Sequence, residues 1–127
     1  ENKYYEHVDD KLNFGILENA KKIFIGQHNF LSFTGRLLPK NANTIREINS
    51  LEYNLSGREM IIKISAKSFL YQQVRRIIGS LILLMKNKID LDSINKALNF
   101  PAKGRYNLLV SSKGLYLSDI KYNNIFN

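Results

Sequence analysis

Residues 68–85 constrain the fold of this chain most strongly, because apolar side chains recur along this segment at the spacing of an α-helix. Ser68 is a candidate N-cap, since its hydroxyl can accept a hydrogen bond from a backbone N–H of the first turn. The apolar positions form one broad face, which is typical of a helix packed against a sheet or another helix. They are Leu70, Val74, Ile77, Ile78, Leu81, Ile82 and Met85. The chain must therefore supply a second layer to cover this helix.

A β-hairpin is the clearest candidate for that layer. Apolar residues alternate over residues 51–55 and again over residues 60–66, and residues 56–59 between them are typical of a turn. Helical spacing also recurs over residues 16–26, where Gly26 is a candidate C-cap. The sequence therefore predicts a helix, a hairpin and a second helix in that order.

The remaining segments complete an α+β pattern. Asp90 is a candidate N-cap for a shorter helix that ends before Pro101. Further strands are expected at residues 4–8, 108–110 and 115–122. Because strands and helices interleave without the rhythm of a parallel sheet, we expect an antiparallel or mixed sheet flanked by helices. No repeat, low-complexity tract or flexible linker is evident, so residues 1–127 are expected to form a single unit.

The composition favours a basic globular protein without disulfides. Lys and Arg number 19 against 11 Asp and Glu, which gives a formal net charge of +8 at pH 7. Such an excess attracts polyanions such as nucleic acid, but scattered lysines also serve solubility alone, and composition leaves both interpretations open. The absence of cysteine excludes disulfides, thiolate metal sites and cysteine nucleophiles. Apolar runs are too short to cross a bilayer and no secretion leader is evident, so we expect a cytoplasmic protein without a membrane partner.

Motifs for metal, nucleotide-cofactor and serine-hydrolase chemistry are missing from the sequence. His7 and His28 are the only histidines, and they lie too far apart to suggest a local metal pair. No glycine-rich phosphate-binding string and no Gly-x-Ser-x-Gly motif occurs. We therefore expect neither a metal site nor a cofactor.

Arg75 and Arg76 are the most informative polar residues, because they lie on the helix predicted over residues 68–85. At about 100° per residue, Arg76 falls nearly opposite the apolar face, beside Gln72 and Ser80, whereas Arg75 falls at its edge. Gly79, one turn on, leaves space beside Arg75 for a ligand or another backbone. A partly buried guanidinium needs a carboxylate, phosphate or carbonyl partner. From periodicity alone, a structural ion pair is the favoured interpretation of Arg75 and a functional site is the alternative.

Aromatic residues offer candidate stacking surfaces for nucleobases. Phe30, Phe33, Tyr71 and Tyr116 are suitable by residue type, but aromatic residues at such spacings are more often part of the core. The core interpretation is favoured for the two phenylalanines. His28 can contact a phosphate or cap a turn.

Four sequence blocks, in the right order, resemble the TruA-type tRNA pseudouridine synthases. Residues 26–33, Gly-Gln-His-Asn-Phe-Leu-Ser-Phe, resemble the family's Gly-x-His-Asp-Phe-x-x-Phe segment, and residues 44–48, Thr-Ile-Arg-Glu-Ile, resemble the Thr-Val-Arg strand that follows it. Residues 68–79 resemble the helix with Phe-Leu and then Met-Val-Arg-Asn-Ile-Val-Gly. Residues 114–117, Gly-Leu-Tyr-Leu, followed by Tyr122, resemble the closing strand. The chain thus resembles the C-terminal part of this family's catalytic region.

The resemblance implies an enzyme that isomerises uridine to pseudouridine in the anticodon stem-loop of tRNA without a cofactor. In the family, an aspartate attacks the ribose or assists glycosidic cleavage. The arginine matching Arg75 pairs with that aspartate, and the leucine matching Leu115 packs beside the target base. Contacts with RNA are expected from His28, Phe33, Arg46, Tyr71, Arg76 and Tyr116. The expected partners are tRNA and, in the full-length protein, a second copy in a homodimer.

The chain departs from the family pattern at several positions. Asn29 replaces the usual aspartate, Arg76 replaces the usual asparagine, and Gln72 and Gln73 stand where histidine or methionine is common. The family's Gly-Arg-Thr-Asp motif and its active-site tyrosine have no match in this sequence. We therefore expect the isolated chain to form no pseudouridine. The alternatives are a non-catalytic RNA-binding module and a basic domain that acts through protein contacts.

Overall fold

The computed structural model describes residues 2–4, 12–35, 38–39, 41–56, 59–102 and 115–117, and it describes side chains outside residues 2–4, 55–56, 59 and 115–117. In chain order, the elements are strand β1 (Asn2–Tyr4), helix α1 (Ile16–Phe24), strand β2 (Gly26–Asn29), a 3₁₀ helix (Leu31–Phe33), strand β3 (Ile45–Ser56), strand β4 (Glu59–Ala66), helix α2 (Gln73–Met85), helix α3 (Leu91–Asn99) and strand β5 (Leu115–Leu117).

Every strand pairing in the described part of the chain is antiparallel, and the predicted α+β class is confirmed. Strands β2, β3 and β4 form one sheet in that order, and β1 pairs with β5. The predicted hairpin is the β3–β4 pair, in which Leu51 lies opposite Ile64 and Tyr53 lies opposite Ile62. The predicted strand at 108–110 and the outer parts of those at 4–8 and 115–122 lie outside the described residues.

A bulge in β3 brings two core residues to the same side of the sheet. Ile48 and Leu51 are three positions apart, so they would face opposite sides of a regular strand. The register shifts between Ile48 and Ser50, and both Ile48 and Leu51 are buried. Helix α1 packs against α2, α3 and β3, which closes the core over this face. Each fully buried aliphatic or aromatic side chain there stabilises the fold by about 1.5–3 kcal/mol.

The first turn of α2 differs from the prediction, because the helix begins at Gln73 and Ser68 does not cap it. Gln72 has φ 60° and ψ 9°, a left-handed conformation that cannot continue into a right-handed helix on its N-terminal side. The chain before it is fixed by a different contact, in which Leu70 N donates to Gln73 Oε1 at 2.8 Å. The apolar face predicted for this helix is buried as expected.

The side of α2 opposite the predicted apolar face, on which the sequence places Arg76 and Ser80, is also buried. Arg76 is 7% exposed and Ser80 is 1% exposed. Within α2 only Arg75 and Leu83 are more than marginally exposed, because the helix packs against both α1 and the 3₁₀ helix. Periodicity locates the apolar face, but it does not reveal how many neighbours enclose the helix.

Helices α1 and α3 follow the prediction closely. Asp90 caps α3, and its Oδ1 accepts a hydrogen bond from Ser93 N at 2.9 Å. Helix α1 ends at Phe24, and its C-cap is Ile25 and not the predicted Gly26. Gly26 lies one residue beyond the cap and opens β2 with φ 108°, a conformation that favours glycine.

Candidate functional site

Arg75 lies in the first turn of α2 and is the partly exposed cation at that end of the helix. The first turn contains no acidic side chain. The Arg75 side chain forms no hydrogen bond or ion pair with the residues that the structure describes. The N-terminus of a helix carries a partial positive charge, which disfavours a cation and favours an anion. An anion beside Arg75 would therefore be stabilised by both the guanidinium and the helix.

The residues around Arg75 are held by contacts between α2 and the segment that follows the 3₁₀ helix. Gly35 N donates to Tyr71 O at 3.2 Å. Arg76 Nη2 donates to Gln72 Oε1 at 3.2 Å. This hydrogen bond links Gln72, which immediately precedes the helix, to Arg76, which immediately follows Arg75. Tyr71 is half-buried, which leaves part of its surface accessible. Tyr71, Arg75 and Arg76 thus lie close together in the chain at the N-terminal end of α2.

His28 and Arg46 form a second group on the neighbouring strands β2 and β3. They lie directly opposite each other in the antiparallel register, so their side chains are on the same face of the sheet. The His28 ring stands perpendicular to the Phe30 ring, with centroids 5.7 Å apart, and His28 Nε2 lies 3.2 Å from Ile25 O. A basic side chain and an imidazole are therefore adjacent at one end of the sheet.

Backbone carbonyl groups hold the Arg46 guanidinium in place. Nη1 donates to Asn43 O at 2.9 Å and to Ile45 O at 2.8 Å. Nε is buried and has no acceptor among the described residues, and Nη2 makes no hydrogen bond with them. Burial lowers the pKa of Arg46 from its ordinary value, but arginine stays protonated at neutral pH. Because the carbonyl groups that hold the guanidinium carry no net charge, its positive charge stays available to an external anion.

Phe33 lies in the core and has no ring face open to a base. Its side chain is 0% exposed and packs edge-to-face against Phe24, with ring centroids 5.5 Å apart, and against Phe30, at 6.1 Å. This agrees with the core interpretation that the sequence favoured for Phe30 and Phe33. An RNA contact predicted for Phe33 can act in this conformation only through the residues that it supports.

Leu115 and Tyr116 belong to β5, and only their backbone is described. Leu115 pairs with Tyr4 and Tyr116 pairs with Lys3. The described residues contain no group of three or more histidine, cysteine or acidic side chains that could hold a metal ion. None of the helices in the described ranges is long and apolar enough to cross a bilayer.

A shallow depression on the β3–β4 hairpin contains none of the predicted site residues. It is lined by Glu52, Tyr53, Asn54, Ile61 and Lys63. Tyr53 donates its hydroxyl hydrogen to Glu18 Oε2 at 2.8 Å, and this hydrogen bond raises the pKa of Tyr53 from its ordinary value. The depression lies on the hairpin and not at the start of α2.

Two residues of the site escaped the sequence prediction. Gly35 lies beneath Tyr71 and Gln72, and a single glycine in a loop gives no pattern that reveals such a contact. Gln73 is 0% exposed and fixes the start of α2 through Leu70. Its departure from the family's usual residue was visible in the sequence, but its hydrogen bond was not.

Comparisons with known proteins agree on one family. A family model described as tRNA pseudouridine synthase matches residues 20–123. The chain is 32% identical over 120 residues to "tRNA pseudouridine synthase A 2" of a Bacillus cereus strain and 34% identical over 120 residues to "tRNA pseudouridine synthase A 1" of Clostridium tetani. It is 36% identical over 121 residues to "tRNA pseudouridine synthase A" of Ureaplasma parvum serovar 3. These matches cover 94–95% of the chain but only 48–49% of each relative, so the chain spans about half the length of the curated relatives it matches.

Proposed function

Since the chain belongs to the TruA-type tRNA pseudouridine synthase family, we propose that it supplies the arginine and part of the RNA-binding surface of an enzyme that converts uridine to pseudouridine in the tRNA anticodon stem-loop. One observation carries this proposal. In the block that resembles the family's helix, Arg75 is the partly exposed cation at the start of α2, with no anionic partner among the described residues.

Arg75 acts on the aspartate of the family's Gly-Arg-Thr-Asp motif, which has no match in this sequence. The full-length protein brings an aspartate to the start of α2, where the guanidinium and the helix N-terminus keep it ionised and oriented. In the reaction, the bond from C1′ to N1 of the uridine breaks and a bond from C1′ to C5 forms. A proton leaves C5 and N1 gains one, so the substrate and product are isomers and no cofactor is consumed.

The target uridine must leave its base stack to reach this carboxylate, at a cost of a few kcal/mol. Tyr71 and Tyr116 are proposed to provide aromatic surface for nucleobases, and Leu115 is proposed to pack beside the target base. Arg46 and His28 are proposed to contact the phosphate backbone, and Arg76 to position Gln72 at the same turn. Phe33 supports this surface from the core. The full-length protein is expected to act in the cytoplasm as a homodimer.

The direct experiment is pseudouridine formation on unmodified tRNA by the full-length protein and by residues 1–127 alone. We expect turnover by the full-length protein and none by the isolated chain, because the catalytic carboxylate is missing from it. The coding sequence upstream of Glu1 is expected to encode a Gly-Arg-Thr-Asp string. Its absence, together with salt-dependent tRNA binding, would favour a non-catalytic RNA-binding module. Absence of tRNA binding would favour a basic domain that acts through protein contacts.

A further inference from the structure

Gly35 makes a close approach to the residues that precede α2. It is buried, and its N–H donates to Tyr71 O. A Cβ atom built on Gly35 would lie 2.7 Å from Tyr71 Cδ1, 2.9 Å from Tyr71 Cε1 and 2.6 Å from Gln72 Oε1. Carbon atoms pack best at about 3.5–4.0 Å, so all three distances are too short for a methyl group. Only glycine leaves room for both neighbouring side chains at this position.

The two neighbouring side chains differ in how easily they can move. Gln72 Oε1 is the end of a flexible side chain, although its movement would break the hydrogen bond from Arg76 Nη2. The Tyr71 ring is rigid, and the hydrogen bond from Gly35 N holds its backbone close to the glycine. A methyl group at position 35 therefore has to displace the Tyr71 ring or separate the two backbone segments.

These contacts connect Gly35 to the end of α2 that carries Arg75. Gln72 is the residue immediately before the helix, and its left-handed conformation sets the direction in which α2 begins. We propose that Gly35 is a positioning residue for the reaction. Because Gly35 has no side chain, the Tyr71 ring and the Gln72 side chain can pack directly against it. This packing fixes the turn at the start of α2, and with it the position of Arg75. This inference rests on the proposed function of Arg75.

The test is Gly35→Ala in the full-length protein, with Gly15→Ala as the matched control. A Cβ on Gly15 would meet only Asn13 Oδ1, at 3.5 Å, and Gly15 has φ −61°, so alanine fits there without strain. Because small displacements of catalytic groups are costly, we expect Gly35→Ala to lower kcat for pseudouridine formation about tenfold and to change KM for tRNA less than about threefold. Gly15→Ala is expected to leave both constants unchanged. Equal kcat values for the two variants would overturn the inference.

A second measurement keeps the inference testable if Gly35→Ala impairs folding. In a Tyr71→Ala background the ring is gone, so Gly35→Ala should lower the thermal midpoint far less than it does alone, and the double variant should be more stable than Gly35→Ala. An equal loss in both backgrounds would show that Tyr71 is not seated on Gly35. This cycle needs no catalysis, so inactivity of the wild-type protein would count against the proposed function alone.

Discussion

Arg46→Gln tests whether the cation on β3 contacts RNA phosphate. The substitution removes one charge and the hydrogen bonds from Nη1 to Asn43 O and Ile45 O, while retaining a polar but shorter side chain. These bonds are exposed, so the loss of folding stability should be no more than about 1 kcal/mol. A larger consequence is expected in binding, because the guanidinium has no carboxylate partner among the described residues and keeps its charge for the ligand.

The size of the binding effect follows from counterion release. Each phosphate neutralised by a protein cation contributes about 0.7–0.9 to the slope of log Kd against log salt concentration. Loss of one contact should therefore reduce that slope by about 1 and weaken binding by a similar factor for different tRNA sequences. The assay is equilibrium binding of unmodified tRNA to the full-length protein over a series of salt concentrations.

Lys96→Gln is the matched control for net charge. Lys96 Nζ lies 3.0 Å from Asp92 Oδ2 on the exposed side of α3, so this cation is already paired within the protein. We expect Lys96→Gln to leave the salt slope nearly unchanged. If the two variants reduce the slope equally, the effect of Arg46 is one of overall charge, and the reasoning about a fixed phosphate contact is wrong.

Two further predictions concern stability of the full-length protein. Ser32 is 0% exposed, and its hydroxyl donates to Ala97 O at 2.8 Å and accepts from Ala102 N at 3.0 Å. Ser32→Ala removes both hydrogen bonds, so it should lower the free energy of unfolding measured by urea titration by about 2 kcal/mol. Ser50→Ala, which removes an exposed contact with Ser65, should change it little, and equal losses would contradict this account. Hydrogen bonds from the Ser93 N–H and hydroxyl lower the pKa of Asp90. The ionised Asp90 carboxylate therefore stabilises the fold at pH values above the ordinary aspartate pKa, and this stabilisation is lost as the pH falls through the lowered pKa of the folded state. Thermal melts of Asp90→Asn should lack this part of the acid sensitivity, and an unchanged pH profile would refute the assignment.

The sequence predicted the elements whose signals are local. Alternation identified the β3–β4 hairpin, helical spacing identified the buried face of α2, and Asp90 marked the start of α3. Each of these signals depends on residues within one element. The resemblance then supplied the family, which the comparisons confirm over most of the chain.

Features that depend on contacts between elements were missed. The start of α2 was placed at Ser68 because nothing in the sequence reveals the left-handed conformation of Gln72. The burial of Arg76 was not predicted, because periodicity does not reveal how many elements pack around α2. The close approach of Gly35 to Tyr71 joins residues far apart in the chain, and no spacing rule could predict it.

The central claim is that Arg75 pairs with the catalytic carboxylate, and single-turnover pseudouridine formation by full-length Arg75→Ala tests it most directly. Removal of one fixed charge-stabilising group typically lowers a rate about 10²–10³-fold, and we expect a loss of this size. The Kd for tRNA should change little, because His28 and Arg46 lie on strands β2 and β3 and not on α2. Lys86→Ala, an exposed residue just beyond α2, should behave as wild type. A normal single-turnover rate for Arg75→Ala would contradict the account.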